Sequence, residues 1–347
     1  MPFTANRAFK RRPRLIAAAA VVGAAMILFL VRFIDFPFED VVLAAAFAGV
    51  LAIVSVFLSR SMLWAAVWPE QLVFSKQLSD ATNTAVKWIT TNLYFITSGF
   101  KNFISYSVLN PIEDTLAQGP WFITFAAIVL IALILAGTRI AVLTASLLTL
   151  IVISGLWFEA MITLTQTIVA TLLTMLVGVA LGVWVGRSDR ADAALRPFMD
   201  AGQTMPAFVY LIPMLGLFDA TRFTAIATGI VYSIPVVVKI VGEGIRAVPA
   251  GIMEAATAAG SSTWQLISKV QLPASKKSLL LATNQGMIFV LAVIVIGGFV
   301  GAGGLGYLVI LGGSKPDLQG KGLVAGAVIL LLGVMIDRIA QATAKRA

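Results

Sequence analysis

Long apolar runs recur along this chain, at residues 15–31, 41–58, 121–136, 140–156, 161–185, 203–219, 222–240, 279–299 and 322–337. A helix needs roughly 20 apolar residues to cross the hydrocarbon core. Inside lipid, each backbone N–H and C=O must be bonded within the protein, which leaves helices or closed barrels. A barrel would show short alternating segments rather than continuous runs. Only 12% of the residues are charged and 59% are hydrophobic, against about 25% charged in a soluble domain. The chain reads as an all-α polytopic membrane protein whose first partner is the lipid bilayer.

The net charge of +9 follows the same logic. Arg11, Arg12 and Arg14 flank the first run, Arg187, Arg190 and Arg196 flank a middle one, and Lys269, Lys276 and Lys277 sit in a polar stretch between two others. Basic residues at the edges of apolar runs mark cytoplasmic loops, so nucleic acid is not an expected partner. Cysteine and histidine are absent. That excludes disulfides, thiolate chemistry and histidine metal sites, and histidine proton relays. The stretch Leu15 to Val31 has no small-x-small cleavage site ahead of a polar mature region, so it reads as a retained span.

The organisation divides into four parts. Residues 1–59 form an N-terminal transmembrane extension. Residues 60–120 mix Trp64, Trp68, Trp88, Tyr94, Phe100, Phe103 and Tyr106 with Lys76, Lys87 and Lys101, which favours an amphipathic segment at the headgroup level; a further crossing near 88–105 is the alternative. Residues 121–157 give two accessory helices, and 158–340 the core. The polar stretch 243–276 and the loop 186–202 are expected on the cytoplasmic side. Counting nine spans back from there puts the N-terminus outside, whereas Lys10 to Arg14 put it inside. An additional crossing within 60–120, or a first stretch that does not span, reconciles the two.

Gly178, Gly182 and Gly186 are four apart, with Ala170 two turns earlier, and this spacing lets another helix approach closely. Thr167 and Thr171 belong to a threonine-rich face that either lines a pathway or bonds back to its own helix. Run 203–219 carries Gln203, Pro206, Tyr210 and Pro213, and the next carries Tyr232 and Pro235. Proline removes an amide and clashes with the preceding turn, so both helices are expected to bend, either as a gate or as static kinks. Residues 297–306 are glycine-rich but lack the Lys-Ser/Thr of a phosphate loop, and Gly320-Lys321 is followed by Gly322. No nucleotide site is visible, and the glycine run reads as a tight re-entry.

The polar stretch 243–276 has internal structure of its own. After Pro249, Met253 to Ala259 reads as a short alanine-rich helix. Gly260 should end it, Ser262 or Thr263 should cap a second helix, and Pro273 should stop that one. A helix, glycine turn, helix of about 30 residues exceeds the short connections usual between packed helices. Its small alanines would let it sit deep in a groove on another protein.

This stretch resembles the signature loop of permease subunits of bacterial binding-protein-dependent ABC importers: Glu254, Ala255 and Ala256, then Gly260, then Val270, Leu272 and Pro273, with Val270 replacing the usual isoleucine. Asp200 to Pro213, Arg246 to Pro249, Trp264 to Leu266, Gly301 to Gly306 and Asp337-Arg338 are similar to the branch that imports glycine betaine, proline betaine, choline or carnitine. The likeness covers roughly 120–340. Asp219-Ala220-Thr221-Arg222 departs from it, where that branch has a glycine-rich connector.

The resemblance implies a type I ABC importer transmembrane fold, a MetI-like core with additional N-terminal spans, in the bacterial inner membrane. It also implies cytoplasmic ABC ATPase subunits gripping the loop at Glu254 to Pro273, a periplasmic or lipid-anchored solute-binding protein, and a second permease subunit, expected as a homodimer. ATP-Mg would sit on the ATPase and no cofactor on this chain. The competing class, an ion-coupled secondary transporter, needs a midplane ion site and commonly repeated halves; neither repeat nor intramembrane acid stands out. The absence of His and Cys and the lack of clustered acids count against a membrane enzyme.

Overall fold

The computed structural model describes residues 49–50 and 74–346. The expected spans 15–31 and 41–58 and residues 60–73 therefore lie outside the described residues, 49–50 apart. Residues 1–81 and 82–347 form separate compact units. The division falls within α1 (Phe74–Asn92), and all helices from Tyr94 onward belong to the second unit.

That unit is helical throughout its described residues: α2 (Tyr94–Ile104), α3 (Trp121–Ala136), α4 (Thr138–Ile153), α5 (Trp157–Arg187), α6 (Asp189–Thr204), α7 (Ala207–Phe218), α8 (Arg222–Arg246), α9 (Ala250–Ala258), α10 (Thr263–Gln265), α11 (Lys276–Ile296), α12 (Gly304–Ser314) and α13 (Gln319–Arg346). Four stretches, Trp157–Arg187, Arg222–Arg246, Lys276–Val300 and Pro316–Arg346, are long and apolar enough to cross a membrane alone. α3 and α4 have 16 residues each, about 24 Å at 1.5 Å per residue.

The α5–α8 seam organises the core. A β-carbon on Gly178 would lie 2.5 Å from Val237, one on Gly182 2.6 Å from Val241, and one on Gly186 2.7 Å from Ile245. Lipid gives no hydrophobic drive for helices to associate, so close backbone approach and dispersion hold them together. Both members of the pairs rise in number together, so α5 and α8 run parallel. α11 packs against α8 in the opposite sense, with Gly229 near Val290 and Gly286 near Val237. α13 returns antiparallel to α11, with Asn284 bonded to Asp337 and Gly333 near Leu291.

Parallel α5 and α8 require the chain to return between them, and residues 188–221 do this in two pieces. The expected loop 186–202 is instead α6, bent 103° from α7. The segment is polar and holds Pro197, neither of which favours a helix. Local chemistry nevertheless makes a helix: the Ser188 hydroxyl caps it by accepting from Ala191 N–H, Asp189 and Asp192 occupy the first turn, and Arg196 pairs with Asp192 one turn on. The expected span 203–219 thus shortens to α7. Pro206 marks the break, while Pro213 lies within α7. Pro235 lies within α8, which stays one uninterrupted helix.

The two ends of the bundle differ in charge. The end bearing residues 243–276 carries Arg139, Arg187, Arg190, Arg196, Arg246, Lys276, Lys277 and Arg346, and the far end carries Lys101, Arg222, Lys315 and Lys321. By the positive-inside rule the first end is cytoplasmic. At the far end, α2 runs on through π-helical Ser105–Leu109, the turn Asn110–Glu113 and π-helical Asp114–Gln118. The stretch Tyr94–Gln118 is bent 108° from α3. Lys101 at one end of it meets Asp219, 3.3 Å away, and Glu113 near the other meets Arg222, 2.5 Å away. It therefore crosses over the end of α7 and α8 and does not run alongside them. Asp219 takes φ +60°, ψ −175°, a region almost reserved for glycine.

The glycine run forms a 3-10 turn, Gly297–Val300, with Gly301, Gly303 and the first residue of α12, Gly304, at positive φ. α5 pins it: Gln166 donates to the Ala302 carbonyl at 2.7 Å, and Thr163 accepts from Leu305 N–H at 2.9 Å.

Candidate coupling loop and gate

At the cytoplasmic end, α9 starts after Pro249 and buries none of its residues. Glu254 and Ala255 are exposed and Ala256 is half-buried. Its C-terminus is a Schellman turn: Gly260 N–H donates to the Thr257 carbonyl at 2.9 Å and Ser261 N–H to the Ala256 carbonyl at 3.1 Å. Gly260 takes φ +80°. A β-carbon there would meet nothing within 4 Å, so the glycine answers to backbone conformation and not to crowding.

Ser262 then closes a capping box. It accepts from Gln265 N–H, and Gln265 Oε1 accepts from Ser262 N–H at 2.8 Å. The helix beyond does not stop at Pro273 as expected. It widens to π-helical spacing over Leu266–Gln271 and passes through Leu272–Ala274 to Ser275. The wider turn makes room where proline would clash with a regular α-turn. Val270 and Leu272 are half-buried and Pro273 is exposed.

Both stems of this exposed hairpin are anchored. Ser275 Oγ donates to the Gly244 carbonyl at 2.9 Å, Arg187 donates to Gln271, and Arg246 donates to the Val185 carbonyl at 3.0 Å and pairs with Asp192 at 3.1 Å. The Arg196 hydrogen bond, helped by Arg246, holds the Asp192 carboxyl below its ordinary range. A cytoplasmic lever of small exposed residues thus rests on a rigid base tied to α5, α6 and α8.

The candidate gate residues divide. Tyr210 Oη donates to the Gly202 carbonyl across the α6–α7 break at 2.6 Å, and its ring meets Tyr232 at 5.6 Å. Tyr232 meets Phe289 of α11 at 5.7 Å. Lys239, two turns beyond Tyr232, donates to Asp200 at 2.6 Å and to Gln203 at 2.7 Å. Gln203, Tyr210 and Tyr232 are therefore gathered around the elbow, with Pro206 exposed at the break and Pro235 buried nearby. Pro213 is exposed, further along α7. Thr167 stands apart: it is fully buried and bonds back to the Thr163 carbonyl at 2.7 Å. Thr171 is buried with no partner for its hydroxyl.

Sequence reading missed three functional-looking groups: Phe289, the Lys239–Asp200–Gln203 contact and the Arg222–Glu113 pair. Lys239 offered one signal, a lone cation at the end of an apolar run. The Arg222–Glu113 pair joins residues 109 apart and left none.

Residues 175–347 match the family of binding-protein-dependent transport system inner membrane components. The chain is 33% identical to the glycine betaine/proline betaine transport system permease protein ProW of Escherichia coli over 77% of this chain and 75% of that one. It is 36% identical to the glycine betaine/carnitine transport permease protein GbuB of Listeria monocytogenes over 55% and 67%. Among solved structures, a chain of the MetNI methionine ABC transporter in an inward facing conformation superposes with a TM-score of 0.49, at 22% identity, over 54% of this chain and 95% of that one. Family match, relatives and membrane-spanning helices agree: the chain belongs to the binding-protein-dependent transport inner membrane components, as a multi-pass inner membrane permease.

Proposed function

We propose that this chain forms the translocation pathway of an ATP-driven importer for glycine betaine or a related quaternary amine such as proline betaine, carnitine or choline. The observation that carries the reading is the exposed hairpin 250–274. It is small-faced at Glu254, Ala255 and Ala256, turned at Gly260, and anchored at both stems to the helices that flank the broken α6–α7 pair. The similarity to ProW, a glycine betaine/proline betaine permease, and to GbuB, a glycine betaine/carnitine permease, supports the substrate class. The chain itself binds no nucleotide in this reading, and ATP-Mg resides on a cytoplasmic ATPase gripping the hairpin. A solute-binding protein docks at the far end, and a second copy of this chain completes the pathway.

The mechanism follows from the anchoring. Nucleotide-driven movement of α9 transmits through Ser275–Gly244 and Arg246–Asp192 to α8 and α6. The α6–α7 elbow then shifts between closed and open arrangements, with Tyr210–Gly202 and Lys239–Asp200 as the contacts that change. Such coupling is reciprocal, so solute delivery at the far end must alter nucleotide turnover at the other. The acid at the elbow, Asp200, is already paired with Lys239, which suits a zwitterion or weakly held cation, since an unpaired buried carboxylate would bind a proton or sodium. Uptake of radiolabelled glycine betaine into vesicles containing the purified complex tests the reading. ATP- and binding-protein-dependent uptake supports it, and uptake driven by an ion gradient without ATP overturns it.

A further inference from the structure

We propose that a recess at the cytoplasmic end, away from the pathway, binds the phosphate headgroup of an anionic phospholipid. The recess has a volume of about 410 Å³ and lies between the α3–α4 turn and the C-terminal part of α13. Four of its lining residues are cationic: Arg139, Arg338, Lys345 and Arg346. Among the described residues Arg139, Lys345 and Arg346 form no ion pair, and the carboxylate nearest to Arg338 is its own neighbour, Asp337, at 3.9 Å. That carboxylate is already occupied, accepting from Asn284 at 3.1 Å and from Gln341 at 2.8 Å. Among the described residues the recess therefore gathers four cations against one carboxylate, that of Asp337, which Asn284 and Gln341 share.

The turn is shaped for this. Gly137 takes φ +90°, and the Arg346 guanidinium occupies the space a β-carbon there would need. The positive-inside rule accounts for cations on this side of the membrane, but not for four of them converging on one recess around a side-chain-free turn. The surface one turn away along α3 and α4 is apolar and exposed, at Ile134, Leu135 and Val142. A basic pocket between helices at the interface, with an apolar wall continuing into the hydrocarbon, fits a lipid whose headgroup is anionic and whose acyl chains lie along α3 and α4. Free phosphate shares the headgroup chemistry but makes no use of the apolar wall.

The test is lipid retention by native mass spectrometry of the full chain, purified with its native subunits and exchanged into nanodiscs containing equal phosphatidylglycerol and phosphatidylcholine. Retained phosphatidylglycerol in excess over phosphatidylcholine is expected. Each cation near the membrane surface strengthens anionic-lipid binding about fivefold, so Arg139→Gln and Lys345→Gln should each lower retention by about that factor and the double variant by more. Lys276→Gln/Lys277→Gln, on the same face but outside the recess, should change nothing. Equal retention by wild type and the recess variants, or equal loss in the Lys276/Lys277 control, would overturn the site. Displacement of the lipid by millimolar inorganic phosphate would overturn the lipid assignment in favour of a free anion.

Discussion

Val241 occupies the space that a β-carbon on Gly182 would fill, 2.6 Å from the position such an atom would take. The same exchange of side chain for glycine repeats one turn before and one turn after, which makes α5 and α8 a single packed unit and fixes their parallel register. From that register follows the need for the broken α6–α7 return, and hence for an elbow beside the candidate gate.

Gly182→Leu should therefore separate the two helices. Overpacking of a close seam costs about 1–3 kcal/mol or more, read as a lowered melting temperature of the purified complex and reduced uptake. Gly326→Ala on α13, where a β-carbon meets nothing within 4 Å, should be neutral or slightly stabilising because alanine favours the helix by up to about 1 kcal/mol. Equal effects of both variants would contradict the seam.

Glu113 is 7% exposed and its second carboxylate oxygen has no partner, so Arg222, itself oriented by Asn110, is the group that meets its carboxylate. Arg222→Ala should destabilise, since it strands a buried carboxylate, but by less than the roughly 3–5 kcal/mol of a fully buried pair because the Arg222 side chain is 39% exposed. Arg222→Met combined with Glu113→Gln should cost distinctly less. Thermal denaturation of the three variants measures this, and a double variant as damaged as Arg222→Ala would show that the pair's charge is not what matters.

At Gly260 the expected ranking is set by φ alone. Asn should be tolerated, Ala should cost about 1 kcal/mol for the left-handed conformation, and the β-branched Val should cost more. The readout is the ratio of solute transported to ATP hydrolysed. If Gly260→Val couples as well as wild type, the turn is not required for transmission.

The Asp192 carboxyl is held below its usual value by Arg196 first and Arg246 second. A depressed folded-state pKa contributes stability that is present above the unfolded value, 3.8, and is lost as pH falls through the folded one. Hydrogen-exchange protection of α6 should be flat from neutral pH to about pH 5 and fall only below about pH 4. In Asp192→Asn the fall should disappear, with α6 less protected throughout. A loss of protection near pH 6 in the wild type would point to another group.

Local chemistry was legible in the sequence and long-range pairing was not. The Gly260 turn and the Ser262 cap could be read because each is satisfied by atoms within four residues. Gly178, Gly182 and Gly186 announced a close approach by their spacing, but nothing in the chain named Val237, Val241 and Ile245 as the opposing surface. α6 lies in the segment 186–202 that reads as a loop from its polarity, although Ser188, Asp189 and Asp192 form an N-terminal helix signature. Pro273 reads as a stop in the sequence, since a π-helical widening ahead of it has no signal comparable to a cap. Thr167 shows the limit of composition: hydroxyls on an apolar helix look alike whether they face a pathway or bond their own backbone.

The chain contains no cysteine, so single cysteines give unambiguous cross-linking sites, and one experiment reaches the central claim. Ala255→Cys on α9 and Ala220→Cys at the α7–α8 turn, at opposite ends of the bundle, would each be joined to neighbours by a short bifunctional reagent in native membranes. Ala255→Cys should capture an ATPase subunit, with a yield that changes on adding ATP, and Ala220→Cys should capture a solute-binding protein and no ATPase. Capture of the ATPase from Ala220→Cys, or its absence from Ala255→Cys in complexes active for uptake, would contradict the assignment of the hairpin as the point where ATP-derived work enters.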